Sequence, residues 1–513
     1  MSRDFVYNMG GMFMFVTDVL RQHAMSNPDS LAIQFEENRW TYSELYKNAQ
    51  KVASYLHQQG YKQGDLVAQF MLNSDLFLAV YYGVQLAGLT VMPVNTKLAP
   101  PEVEYIFSHS EAKVLFYDEK IEQTIQNSQH PFQQKISTTQ LRELLQQESP
   151  YTKLPTLDVN DTAVVMYTSG TTGKPKGVML SHRNLYETAD IWSQSMKMSR
   201  EDKMFICTPL FHCAGSHVFA VPTMYKGGAV IVEEAFSPEQ TLSKLVETNA
   251  TIFFGVPAMY TILLNKPELK NYSFDHLRLF CYGAAPMPYE LVKRLKDTFP
   301  NVKVQNLYGQ TENTPAASSL TDEHALTKIG SVGKPLARTE VKLVDPEGVE
   351  VPVGEVGEIC VKGAQVMKGY LRNPEETANT IQNGWLYSGD LGRFDEEGFL
   401  YIVDRKKDMI NRGGENIYPV EVEEVLYQIS QILEAAVVGV PHEVYGEVPK
   451  AYVVTKGGQS ISEEEILEHC RTQLAKYKVP LQVEFLEQLP RNASGKVLKH
   501  TLRPSISETT KSP

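Results

Sequence analysis

Between two apolar runs, 162–166 and 178–180, the chain carries YTSGTTGKPKG over residues 167–177, and this stretch limits the fold more than any other. Gly170, Gly173 and Gly177 let the backbone take positive φ and come close to a ligand. Thr168, Ser169, Thr171 and Thr172 supply hydroxyls, and Lys174 and Lys176 supply charge. Pro175 disfavours helix at Lys174. Gly170 and Gly173 also stand too close together for the nucleotide loop in which a lysine followed by Ser or Thr opens a helix. The run therefore reads as strand, phosphate-holding loop, strand. By composition alone, a ligand-free surface loop is the commoner meaning of such residues.

The neighbouring pattern is that of a parallel α/β sheet. A strand at 66–72, an amphipathic helix at 75–87 and a strand at 91–94 make a right-handed βαβ unit. Helices are expected at 15–25, from the Thr41 cap to Gly60, and after Ser181-His182-Arg183-Asn184. A short strand at 205–208 leads into Pro209-Leu210-Phe211-His212, where His212 reads on its own as a satisfied core polar group. Residues 119–153, rich in Gln, Ser, Lys and Glu, read as a peripheral excursion. Strands at 251–256, 277–282 and 302–307 end in Pro257, in Gly283-Ala284-Ala285-Pro286 and in Tyr308-Gly309-Gln310-Thr311-Glu312. Ligands of parallel sheets sit at the carboxyl ends of strands, so Gly255, Val256, Gly283 and Ala284 should border one crevice. Tyr308 can cover a base, Thr311 can bond a phosphate, and Glu312 can give one hard oxygen to Mg²⁺.

From 330 to 403 the pattern changes to strands with glycine turns at 346–348 and 395–398, an antiparallel subdomain. At 401–408 an apolar strand gives way to a charge run, read as boundary and hinge. Strands at 435–440, 451–454 and 483–485 and helices at 420–427 and 463–477 then suffice for a small α+β domain. The expected division is a large domain over 1–404, with 330–403 its β-rich part, and a mobile domain over 405–513 hinged near Lys407.

The 513 residues exceed one ordinary core. A net charge of −12 argues against nucleic acid or anionic lipid as partner. Five cysteines, odd in number and without a Cys-x-x-Cys pair, argue against a disulfide framework and a zinc site and fit a reducing cytoplasm. The first residues, with Arg3 and Asp4 and a mixed run broken at Gly10 and Gly11, do not read as a signal peptide. No apolar run reaches the roughly 20 residues that span a bilayer, so any membrane contact would be peripheral.

Taken in order, the motifs at 167–177, 308–312, 387–390, 404–416 and 490–496 closely resemble the signatures of the adenylate-forming superfamily of acyl-CoA synthetases, luciferases and peptide-synthetase adenylation domains. The resemblance covers nearly the whole chain and is strongest to bacterial fatty-acid–CoA ligases. It implies ATP-dependent activation of a carboxylate as acyl-AMP, with Mg²⁺ on Glu312, followed by transfer to CoA. Thr168, Ser169, Gly170, Thr171, Thr172, Gly173 and Lys176 would hold phosphates, and Gly283, Ala284, Ala285, Pro286, Tyr308, Gly309, Gln310 and Thr311 the rest of the nucleotide. It implies further that Asp390 and Arg405 hold the ribose, that His212 lines the carboxylate side of the acyl site, and that Lys496 bridges α-phosphate and carboxylate. Lys407 would be the hinge, and Gly413, Gly414 and Glu415 would meet the thiol in a second domain arrangement.

The acyl lining is expected from His212, Gly215, Phe254, Gly255, Val256, Tyr282, Gly283 and Gln310, apolar walls with small residues and no Lys or Arg. A medium- to long-chain fatty acid leads on that reading. An aromatic acid of the coumarate or benzoate type stays open, as does loading of a carrier protein in trans. CoA is the expected acceptor because little chain follows Lys496. Luciferase-like oxygenation and a non-catalytic adenylate-binding protein are the distant alternatives. The state of assembly, homodimer included, is not read from the sequence.

Overall fold

The computed structural model describes residues 15–151, 153, 155–168, 174–284, 287–406, 408–412, 415–457, 459–491 and 497–503. It divides into two compact units, residues 1–341 with 361–386 and residues 342–360 with 387–513. The architecture is mixed α/β, with large sheets in the N-terminal part and a small antiparallel sheet in the C-terminal part, as the resemblance implies.

In the first unit one sheet runs Gly369–Tyr370, Lys176–Ser181, Thr162–Thr168, Thr90–Pro93, Leu66–Phe70, Val114–Tyr117, Gln134–Ser137. Its last five strands are parallel, and the expected βαβ unit is there, with the helix Asp75–Leu86 between adjacent strands. Thr162–Thr168 and Lys176–Ser181 form an antiparallel hairpin. The second sheet has a parallel centre of Leu31–Phe35, Ala229–Val232, Lys203–Ile206, Ile252–Phe254, Leu279–Gly283 and Lys303–Tyr308. Asn38–Thr41 joins it antiparallel on one side, and Ser318–Leu320 then Ser331–Pro335 on the other.

One core fills the space between these sheets. Val67, Val164 and Val178 from one meet Ile33, Ile206, Val230 and Phe254 from the other, with Phe77, Tyr81, Tyr82 and Trp192 from the helices between them. That enclosure explains why the helix Asp75–Leu86 is buried on every side. The far face of the second sheet packs Phe253, Phe280 and Val304 on Tyr260, Leu291 and Leu295. The helix Tyr42–Gln58 starts as its sequence dictates, in a reciprocal capping box between Thr41 and Glu44.

The excursion at 119–153 proves structural. Gln134–Ser137 pairs parallel with Val114–Tyr117, and the helix Thr138–Gln147 sends Leu141, Leu144 and Leu145 into the core. Its arginine, Arg142, lies 3.0 Å from the Asp75 carboxylate, whose side chain is 1% exposed. The stretch 330–403 is shared between the two units rather than forming a block of its own.

The second unit contains the antiparallel pairing of Asp390–Phe394 with Leu400–Arg405. It also contains a sheet in which Ile432–His442 and Gly446–Thr455 pair antiparallel and Gln482–Phe485 joins parallel. Helices Pro419–Tyr427 and Glu463–Gln473 cover it, closing a core of Ile410, Val422, Val437, Val453 and Ile466. Among the described residues no helix is long and apolar enough to cross a membrane.

Candidate active site

In the first unit the hairpin Thr162–Thr168/Lys176–Ser181 puts Thr168 opposite Lys176, at the ends of its two strands. Ser169, Gly170, Thr171, Thr172 and Gly173 lie outside the described residues, as do Ala285 and Pro286. Thr168 Oγ1 is 3.4 Å from Glu312 Oε1, so two motifs 144 residues apart meet. A second hydroxyl, on Tyr370, donates to the same oxygen at 3.1 Å. Burial, and then the charge of Glu312, hold the Tyr370 phenol well above its ordinary pKa, which keeps it a donor.

Glu312 fits a divalent cation. Its Oε1 accepts two hydroxyls, while Oε2 has no hydrogen bond and no cation among the described residues. Among those residues no three His, Cys, Asp or Glu side chains gather as a metal cage. A single carboxylate with one oxygen open is the donor set of Mg²⁺ held together with the phosphates it accompanies. Lys176, expected among the phosphate ligands, pairs with Glu376 and lies 5.2 Å above the Tyr370 ring.

The turn at Glu312 is held by its own sequence. Asn313 Oδ1 accepts from Gln310 N at 2.8 Å, and Thr314 takes the left-handed region at φ 52°. Thr311 turns its hydroxyl to the Cys213 thiol, 3.2 Å away. Tyr308 and Gln310 are half-buried at the end of their strand.

His212 precedes a π-helical segment, Ala214–Ala220, an irregularity common at functional sites. Its Nδ1 accepts from Ala214 N at 3.3 Å, which leaves the neutral ring with its proton on Nε2, a donor suited to a carboxylate. Two residues without any local sequence signal hold this segment. Asn73, 4% exposed, donates to Thr208 O at 2.9 Å and Glu233 O at 3.0 Å and accepts from Leu210 N at 2.7 Å. His217, whose pKa burial pushes down to about 3, meets the Tyr81 hydroxyl at 2.9 Å.

The expected acyl lining is only partly brought together. Register pairs Phe254 with Cys281, so Tyr282, the next residue, faces the other way. Phe254 packs against Phe219 of the π-helical segment, whereas Tyr282 packs in the opposite core with Tyr260 and Met287. The two do not share a wall. The glycines do not mark space for an acyl chain either. A Cβ on Gly215 would meet Pro209 O at 2.4 Å, and one on Gly283 would meet Leu307 O at 2.5 Å. Backbone packing thus demands them. A Cβ on Gly255 would lie 3.1 Å from the Tyr260 ring, and Val256, half-buried, packs at the rim of the core holding Phe254. Ala284, exposed just beyond its strand, holds φ at 64°, a strained value for a residue with a Cβ.

In the second unit Asp390 and Arg405 are cross-strand partners, with Arg405 Nε 2.7 Å from Asp390 Oδ1. Gly389, at φ 71°, gives its N–H to Glu358, which also takes Lys406 Nζ at 2.8 Å. Asp404 is 3% exposed and accepts from Arg405 N and Val420 N; burial raises its pKa to about 6 against the opposing pull of Lys499. Lys407, Gly413, Gly414 and Lys496 lie outside the described residues. Glu415 opens the second arm of the hairpin Ile410–Arg412/Glu415–Ile417, and Arg491 and Val497, on either side of 492–496, pair with each other.

A model of AMP-binding enzymes matches residues 20–371, and a model of the C-terminal domain of AMP-binding enzymes matches 421–496. The chain belongs to the AMP-binding enzyme family, and its reaction class is that of an AMP-forming acid–thiol ligase. It is 37% identical over 482 residues, 94% of this chain and 97% of the relative, to a feruloyl-CoA synthase of Amycolatopsis. It is 36% identical over 499 residues, 96% of this chain and 98% of the relative, to a long-chain-fatty-acid–CoA ligase of Mycobacterium tuberculosis. Among solved structures it is similar to o-succinylbenzoate coenzyme A synthetase of Bacillus subtilis in complex with ATP and magnesium ion. The TM-score is 0.86 at 33% identity, covering 94% of this chain and 98% of that one.

Proposed function

We propose that this chain is an ATP-dependent acyl-CoA ligase acting on an apolar monocarboxylic acid. The observation that carries the reading is Glu312: one oxygen held by Thr168 and Tyr370, the other open beside the phosphate hairpin. Carboxylate and ATP are both anions, so positioning and charge neutralisation must dominate. The carboxylate oxygen attacks the α-phosphorus and the bond to pyrophosphate breaks, leaving acyl-AMP. The thiolate of CoA then attacks the acyl carbonyl and AMP departs.

In this reading Glu312 holds Mg²⁺, which would neutralise phosphate charge. Thr168 and the loop after it bind phosphate oxygens, and His212 Nε2–H donates to the carboxylate. Asp390 and Arg405 take the ribose hydroxyls, and Lys496 spans the α-phosphate and the attacking oxygen. The division of labour at 404/405, with a hinge at Lys407, is part of the same proposal, as is a cytoplasmic setting, which the free cysteines fit.

The lining expected from the sequence, from His212 and Gly215 through Phe254 to Gln310, includes no Lys or Arg for a second carboxylate, which supports a monocarboxylate, and a fatty acyl group is the reading it suits first. The aromatic reading has its own support in the Phe219–Phe254 ring pair, centroids 4.6 Å apart, and in the feruloyl-CoA synthase relative. Pyrophosphate release on acetate through palmitate, benzoate, coumarate, ferulate and malonate, with and without CoA, separates them. A CoA-dependent maximum on a fatty or aromatic monocarboxylate supports the ligase and names its acyl class. A malonate maximum removes the monocarboxylate reading, and no release with any acid removes the ligase.

A further inference from the structure

The segment 364–371 behaves as a strap between the Glu312 turn and the phosphate hairpin. At one end Thr314 Oγ1 donates to Gln365 O at 2.7 Å, Gln365 Nε2 donates to Ala316 O at 3.1 Å, and Met367 N donates to Glu312 O at 2.8 Å. At the other, Lys368 N donates to Met179 O at 2.9 Å and Leu371 N to Gly177 O at 2.7 Å, so Gly369–Tyr370 forms a strand on the hairpin's outer arm. At its start, Asn184 Nδ2 donates to Ala364 O at 2.7 Å and to Val366 O at 2.8 Å. The strap carries one side chain into the site: Tyr370, 6% exposed, with its hydroxyl on Glu312 Oε1 and its ring under Lys176.

We propose that Tyr370 is the positioning residue of the metal-site carboxylate, its hydroxyl fixing Glu312 so that Oε2 is presented to Mg²⁺ in register with the phosphate hairpin. This rests on the reading that Glu312 holds Mg²⁺. A glutamate side chain has three torsions, and a carboxylate that must bind a cation loses affinity when it is free to wander. Partners that orient a ligating carboxylate typically matter about 10- to 100-fold for metal affinity. Thr168, at 3.4 Å, is the longer of the two bonds to Oε1. Phenylalanine at 370 would keep the ring beneath Lys176 and the backbone of the strap and remove only the hydroxyl.

The test is ATP binding to the full chain by calorimetry across a titration of free Mg²⁺, with AMP binding in EDTA as the metal-free reference. Tyr370→Phe should raise the Mg²⁺ concentration for half-maximal ATP binding about tenfold while AMP affinity stays within about twofold of wild type. Glu312→Gln, measured beside it, should abolish the Mg²⁺ dependence. If Glu312→Gln does so and Tyr370→Phe leaves the titration unmoved, the positioning role is overturned and the metal reading stands. If Glu312→Gln leaves it unmoved, both fall. An equal loss of AMP affinity in Tyr370→Phe would show a merely structural hydroxyl and also overturn the proposal.

Discussion

At the scale of single residues, the site draws on side chains whose partners lie close in sequence and on others whose partners lie far away. Glu312 and Thr168 stand out because each sits in a short motif of polar and glycine residues that the sequence singles out. Tyr370, Asn73 and His217 do not, since the partners that give them meaning lie 58, 137 and 136 residues away. Asp404 is a further case, a carboxyl in a charge run that the fold buries. Its folded pKa, about 6, lies above the unfolded value near 4. The folded state therefore binds the proton more tightly between pH 4 and 6, so this group's contribution to stability is full below about pH 4 and is lost as pH rises to about 6. A carbon-detected carboxyl titration should place Asp404 near pH 6, and a midpoint near 4 would remove the burial effect.

At the scale of elements, strands and helices with a strong periodic signal were placed correctly, usually within a few residues. The hairpin Thr162–Thr168/Lys176–Ser181 follows from two apolar runs joined by residues that cannot continue a helix. The helix Thr138–Gln147 was missed because its three leucines are surrounded by Gln, Glu and Arg, so the average composition hides a narrow apolar stripe. Its role goes beyond packing, since Arg142 answers the charge of Asp75 at the start of a fully buried helix. Arg142→Ala should lower the urea-unfolding free energy of this part by about 2 kcal/mol. That is below the range for a fully buried pair, because Arg142 is 45% exposed and the helix N-terminus itself favours the carboxylate. Adding Asp75→Asn should recover a large part of the loss in a double-mutant cycle.

At the scale of the whole molecule, the proposed reaction asks residues far apart in the chain to act on one nucleotide. Lys496→Ala should slow acyl-AMP formation by about 10²- to 10³-fold, the usual effect of removing one charge-stabilising group. Thioester formation from pre-made acyl-AMP and CoA should stay within about threefold of wild type. Stopped-flow or quenched assays of the two half-reactions check this, and equal loss in both would remove the assignment of Lys496 to adenylation alone.

What the amino-acid order determined by itself is the class of fold and the ordered motifs, because strand period, glycine loops and runs of hydroxyls act over a few residues. The tertiary structure alone decided which side of a sheet each candidate faces. Phe254 and Tyr282 both end apolar strands, yet the pleat and the parallel register send them into separate cores. It also decided why Gly215 and Gly283 are glycine, since the carbonyls crowding them come from a neighbouring turn and a neighbouring strand. The hold on Glu312 was likewise decided there: the hydroxyl of Tyr370 reaches it only because a strap binds both the turn and the hairpin, contacts that exist once the chain has closed on itself.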